Sequence, residues 1–136
     1  MSDNYVMAIQ ARLNSRAWIV GNHGYLWDGQ APTINLDGTW FTAPAHYPDG
    51  CLLPGIVLGK KTATGLFGPY DPAANDGRQT AKGFLLDPTP VEYGFTIERS
   101  RILLAGFIDP AQLPATSGLD AAARESLRNF VFLDLA

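Results

Sequence analysis

The stretch HYPDGCLLPGIVLGKKTATGLFGPYDPAANDGRQTAKGFLL, residues 46–86, decides how this chain folds. It holds two apolar runs, residues 56–60 and 83–86. Pro48-Asp49-Gly50 and Pro54-Gly55 precede the first run, Gly68-Pro69 and Asp71-Pro72 follow it, and Asp76-Gly77 introduces the second. Proline presets φ and glycine accepts positive φ, so these positions bend the chain. The reading is a compact β-unit carrying a long polar loop at residues 68–78.

Working outward, residues 62–67 continue the first strand as a hairpin arm, and residues 79–86 form the next strand, ended by Asp87-Pro88 and Pro90. In residues 92–97, Tyr93, Phe95 and Ile97 alternate with Glu92, Gly94 and Thr96, the period of a half-buried strand. Residues 101–108, RILLAGFI, are almost continuously apolar, as in a strand covered on both faces. One helix follows. Ser117 is its N-cap with Asp120 three residues on, Leu119, Ala123 and Leu127 line one face, and Asn129 ends it. Residues 130–135 read as a last strand.

Upstream, Tyr5, Ile9 and Leu13 share helical spacing, but no cap frames them, and residues 1–16 are read as an extended arm. Residues 16–40 contain all three tryptophans, Trp18, Trp27 and Trp40, with Tyr25 among them. Short strands are expected at residues 17–20 and 33–36. The tryptophans have two readings, core filling or anchors at a partner surface, where tryptophan is enriched.

The 136 residues suit one domain, and a chain of this length buries roughly two-thirds of its surface on folding. Hydrophobic residues make up 46% and charged residues 17%, which argues against overall disorder and leaves a surface short of charge, as when a partner covers part of it. The net charge of −3 and scattered basic residues give no nucleic-acid footprint. The single cysteine, Cys51, excludes an internal disulfide. The opening Met1-Ser2-Asp3-Asn4 lacks signal-peptide character, and no apolar run approaches the ~20 residues of a membrane span. A product made and used in a cytoplasm, or in a particle assembled there, is expected.

No motif supplies catalysis, a metal or a cofactor. Gly55 to Lys61, GIVLGKK, has one residue too few between its glycines for a phosphate-binding loop, and Lys61 stands where that loop needs a hydroxyl. Asp71, Asn75 and Asp76 lack the alternating ligands and distal glutamate of a calcium loop and read as turn formers. His46, Asp49 and Cys51 are close in sequence, but Asp49 sits in a turn and Cys51 precedes Leu52-Leu53, the setting of an inert buried thiol. Asp109, Asp120 and Glu92 have no spacing that marks a carboxylate pair.

Several features of this stretch occur together in one order. Pro54-Gly55 precedes Val57-Leu58-Gly59-Lys60, then come Gly68-Pro69-Tyr70-Asp71, Asp76-Gly77-Arg78, and a strand from Ala81 to Leu85. HGYLWDG and TINLDGTWF upstream, and GFID, LP and AAARESLRNFVF downstream, extend the likeness over most of residues 16–136. In these features the chain resembles the head decoration proteins of tailed bacteriophages, the lambda-type capsid stabilising or cement proteins. It is most similar to the long forms in phages of Gram-positive, especially actinobacterial, hosts.

The resemblance implies an α+β, mainly β fold: a small barrel-like β-rich core with one C-terminal helix and an extended N-terminal arm. It implies a non-enzymatic homotrimer without cofactor. Trimers of this kind sit on the outer surface of the virion head at three-fold and quasi-three-fold positions, and hold the expanded major capsid protein shell against DNA pressure. The partners are then the major capsid protein and further copies of the chain, with no nucleic acid and no membrane. On this basis residues 1–40 form an arm and Trp-rich docking region, with Trp18, Tyr25, Trp27 and Trp40 as candidate capsid-docking residues, and residues 41–136 form the core. Gly68, Pro69, Tyr70, Asp71, Asp76 and Gly77 form a candidate trimer or capsid contact loop. Two other classes compete: a β-rich module binding glycan or peptide through exposed aromatics, and a small hydrolase using His46 and Cys51.

Overall fold

The computed structural model describes residues 17–20, 31–91 and 96–134. Its strands are β1 (Thr33–Asp37), β2 (Cys51–Leu52), β3 (Val57–Lys60), β4 (Phe67–Pro69), β5 (Ala81–Leu85), β6 (Thr89–Pro90), β7 (Thr96–Leu103), β8 (Gly106–Ile108) and β9 (Phe130–Phe132). One short helix, α1 (Ala121–Ser126), lies between β8 and β9, and 3-10 turns occupy Gly38–Trp40 and Pro110–Gln112.

Five strands pair in the ring β1-β4-β3-β5-β7, which β7 closes by pairing with β1. The seam of this barrel-like ring is the β1–β4 joint, a single parallel pair of Leu36 with Phe67. The other ring contacts are antiparallel. Two bulges bend the sheet. In β5, Lys82 is the extra residue between the pairs Leu58–Gly83 and Gly59–Ala81. In β7, Glu98 and Arg99 lie opposite Asn35, with Arg99 at φ 60° and its N–H donating to the Asn35 side chain. An extra residue on one strand increases local twist, which helps a small sheet curl back on itself.

Side-chain alternation divides the core in two. Leu36, Leu58, Leu85, Ile97 and Ile102 form one buried cluster with Leu52, Ile56 and Phe41, and Phe67 packs against it. All five ring strands contribute, so this cluster fills the ring. Their neighbours Val57, Phe84 and Leu103 point the other way, into a second cluster with Trp18, Leu86, Ile108, Ala123, Leu127 and Phe130. Phe84 is its centre, tilted against Trp18 at 5.4 Å and edge-on to Phe130 at 5.0 Å. The second layer is held by β8, which pairs in parallel with β9 on one side and meets residues 18–20 on the other. There Val20 N–H donates to the Phe107 carbonyl and Asp109 N–H to that of Trp18.

Several boundaries differ from the sequence expectation, each for a local reason. Residues 62–64 turn rather than extend, closed by Gly65 N–H donating to Lys61 and Lys61 N–H to Leu66. The strand comes after them, so Gly68-Pro69 lies within β4, and Pro69, which has no N–H, falls beside the weakly paired seam. The expected single strand over 101–108 is two, because β7 belongs to the ring and β8 to the outer layer; the chain crosses between them at exposed Leu104 and at Gly106, φ 146°. The helix is capped by Asp120 rather than Ser117, since Gly118 at φ 86° breaks the backbone between them, and it ends at Ser126 instead of Asn129. The expected arm–core division at residue 40 does not follow the pairing, because β1 lies before it and is a ring strand. Residues 1–16, 92–95 and Leu135 lie outside the described residues.

The helix cap also ties the two layers together. The Asp120 carboxylate accepts from Ala123 N–H at 2.7 Å and from the Tyr70 hydroxyl at 2.9 Å. Burial, the hydrogen bond to Asp120 and the charges of Asp120 and Asp71 push the Tyr70 phenol up to about 12. Its folded value lies above the ordinary 10.0, so its contribution to stability is complete below pH 10 and is lost as pH rises toward 12. Urea midpoints are therefore expected to fall more steeply over that window in the native protein than in Tyr70→Phe. Parallel curves would contradict the assignment.

Gly83 gives a second check. A Cβ there meets the Leu103 carbonyl oxygen, with Ile102 Cγ1 at 2.9 Å. Gly83→Ala is expected to cost about 1–3 kcal/mol by overpacking, measured by urea unfolding.

Candidate functional site

The feature that stands out on the surface is a tryptophan platform built where β1, β4 and the polar loop meet. The Asp37 side chain accepts from Thr39 N–H at 2.9 Å and caps the turn that ends β1, and Trp40 is the last residue of that turn. Its indole lies on the backbone of Gly68. A Cβ at Gly68 would stand 2.5 Å from Trp40 Cε3 and 3.2 Å from Arg78 Cδ, so this position in β4 needs a residue without a side chain. Two cations flank the ring: Arg78 Cζ is 4.9 Å and Lys61 Nζ 5.2 Å from its centroid. Each such contact contributes about 0.5–1 kcal/mol when exposed.

The loop is stitched to the barrel end by its own backbone. Asp71 N–H donates to Arg78 O at 3.1 Å and Thr62 N–H to Asp76 O at 2.9 Å. Gly77, at φ 117°, packs so closely on the Lys60 carbonyl oxygen that no side chain fits. Asp71 accepts from Ala73 N–H, and Asp76 from Arg78 N–H, so both carboxylates act as turn formers. Asp76 also pairs with the Arg78 guanidinium at 3.1 Å. The Arg78 N–H, then its guanidinium, hold the Asp76 carboxyl below the usual range.

The residues expected at a partner surface separate into distinct groups. Trp18 is a core residue, wholly buried against Phe84, so it offers nothing to a docking partner. Trp40 is half-buried. Tyr25 and Trp27 lie outside the described residues. In the loop, Tyr70 is 7% exposed and points into the outer-layer core, and Gly68 is covered by Trp40, so neither presents a side chain. Pro69, Asp71, Asp76 and Gly77 are partly exposed around the platform. Arg78 and Lys61 were not singled out from sequence. The Asp-Gly-Arg triplet and the Lys60-Lys61 pair were visible, but their proximity to Trp40 depends on the fold.

The residues weighed for chemistry have structural roles. Gly59 is a close-approach glycine: a Cβ there would stand 2.6 Å from the Arg78 carbonyl oxygen. Cys51 is buried in β2, opposite Pro90. His46 Nδ1 accepts from Thr42 N–H at 3.0 Å, its ring meets Phe41 edge-on, and burial lowers its pKa. Asp109 and Asp120 cap helical turns.

Among curated proteins no match is found. A family profile matches residues 42–128, the span from the end of the Trp40 turn through α1, and it describes the bacteriophage lambda head decoration protein D. The matched span contains four of the five ring strands, the polar loop and the helix, which is well over half of the chain, and the protein therefore belongs to the bacteriophage lambda head decoration protein D family.

Proposed function

We propose that this phage capsid decoration protein works as a homotrimer on the outer surface of the head, without enzymatic activity, and stabilises the expanded shell of the major capsid protein against internal pressure. The family match across the barrel, loop and helix carries this reading. The physical design agrees with it. A cement requires a rigid body, and here β3, β5 and the end of β7 are packed on both faces. It also requires surface features that dock without chemistry. The Trp40 platform is one: a rigid aromatic whose position is set by a cap beneath it and two cations beside it. The segment before residue 17 is the proposed arm, docking by main-chain pairing. Three linked copies convert weak single contacts into firm attachment through effective concentration. Preference for expanded heads follows if the contact surface exists only in that state, because a ligand distinguishes two states only through differential affinity.

Co-sedimentation with undecorated expanded and unexpanded heads tests the proposal. The native protein is expected to pellet with expanded heads only and to have the solution mass of a trimer. Removing residues 1–16 spares β1 and Trp18, so the truncated protein should fold and lose attachment. Trp40→Ala should weaken attachment by about tenfold, a loss of ~1.4 kcal/mol. Native protein that stays in the supernatant with both kinds of head would sink the reading.

A further inference from the structure

Beside the Trp40 platform lies a cleft of about 320 Å³ lined by Lys60, Thr62, Gly77, Gln79, Thr80 and Lys82. We propose that this cleft and the platform together bind an acidic peptide segment of the shell, with the lysines taking carboxylates and Trp40 taking an apolar residue. The inference rests on the decoration reading and specifies the chemistry of the partner.

The placement of the charges is the first argument. Lys60 ends β3, and Lys82 is the extra residue of the β5 bulge. Bulges re-aim side chains, and this one leaves Lys82 exposed on the same cleft as Lys60. Gly77 lines the cleft and the next residue, Arg78, lies over Trp40 with Lys61, so the platform adjoins the cleft at the loop. Arg78, whose backbone packs on Gly59, closes the other side of the ring. Four of the chain's ten Lys and Arg residues thus gather on one side of a protein with net charge −3.

The second argument is that the three lysines, Lys60, Lys61 and Lys82, have no ion-paired partner among the described residues. The nearby Asp76 is committed to Arg78, and Asp71 to the loop backbone. Grouped like charges repel one another, and a partner of opposite sign relieves that repulsion while gaining register. A nucleic acid is disfavoured by the net negative charge and the small basic area. A free phosphate has no use for the adjoining indole. A peptide carrying carboxylates beside an apolar side chain matches both halves of the surface.

The experiment has two arms. In the first, Lys60→Glu/Lys82→Glu and Lys60→Arg/Lys82→Arg proteins, each checked for native fold by circular dichroism, are sedimented with undecorated expanded heads. Charge reversal is expected to weaken attachment by about tenfold or more while the arginine protein attaches like the native one. In the second, a hexaglutamate peptide is titrated into the native protein and followed by NMR. Amide signals of Lys60, Gly77 and Lys82 should shift, and the shifts should vanish in the charge-reversed protein. If native and charge-reversed proteins attach equally, the cleft assignment is overturned and the decoration reading stands. If the native protein attaches to no head, the decoration reading falls, and the titration alone decides the cleft. Absence of peptide shifts in that case, or equal shifts from inorganic phosphate or a DNA duplex at the same concentration, overturns the acidic-peptide assignment.

Discussion

The structure depends on filling a small curled sheet and covering the outer face of its β3, β5 and late β7 strands. Leu58, Leu85 and Ile102 turn inward and Val57, Phe84 and Leu103 turn outward, one residue apart on adjacent strands. A ring of five short strands has little interior, so its own filling cannot stabilise it alone. The outer face must be covered too, and Trp18, Ile108, Ala123, Leu127 and Phe130 cover it. That requirement explains why the chain continues past β7. The segment at β8, the helix and β9 exist to roof Phe84, and residues 18–20 return from the other end of the sequence to join them. It also explains the close approach of Gly83 to Leu103, where strands of a tight ring leave no space for a Cβ.

With both faces used for packing, β3 and β5 have few side chains left to offer a partner, whereas β1 and the start of β7 expose their outward residues. The platform residues come from the ends of strands and from the loop. Trp40 is delivered by the turn closing β1, Lys61 by the end of β3, and Arg78 by the last residues of the loop before β5. Gly68 and Gly77 let these pieces stack at backbone distance. The result is a stiff surface, and stiffness suits a protein that holds other subunits in place. Ordering a flexible loop on docking would cost binding free energy that a preorganised platform keeps.

The membership in the head decoration family and this architecture bear on each other. The family profile begins at residue 42, yet β1 and Trp18, both earlier, are integral to the two cores. The part of the chain before the profile is therefore not simply an appendage. Some of it completes the barrel, and the arm role proposed above falls to residues 1–16.

Much was legible in the sequence because it follows from local chemistry. The apolar runs at residues 56–60 and 83–86 mark strands, the Asx residues at 71 and 76 make turns, and the spacing of Ala123 and Leu127 marks the buried side of the helix. The sequence likewise carried the family resemblance. What it did not contain is which distant residues meet. Trp18 and Trp40 are the same residue type in similar company, yet one is buried against Phe84 and the other lies on Gly68 between two cations. Gly68 reads as a turn residue until the indole above it is known, and Asp120 displaces Ser117 as the cap because Gly118 turns the backbone and Tyr70 waits across the layer. Strands, turns and a family are properties of short windows, where backbone sterics and hydrophobic period act. The platform and its neighbouring cleft are properties of ring closure, which brings residues 40, 61, 68 and 78 together and which no window of the sequence spans.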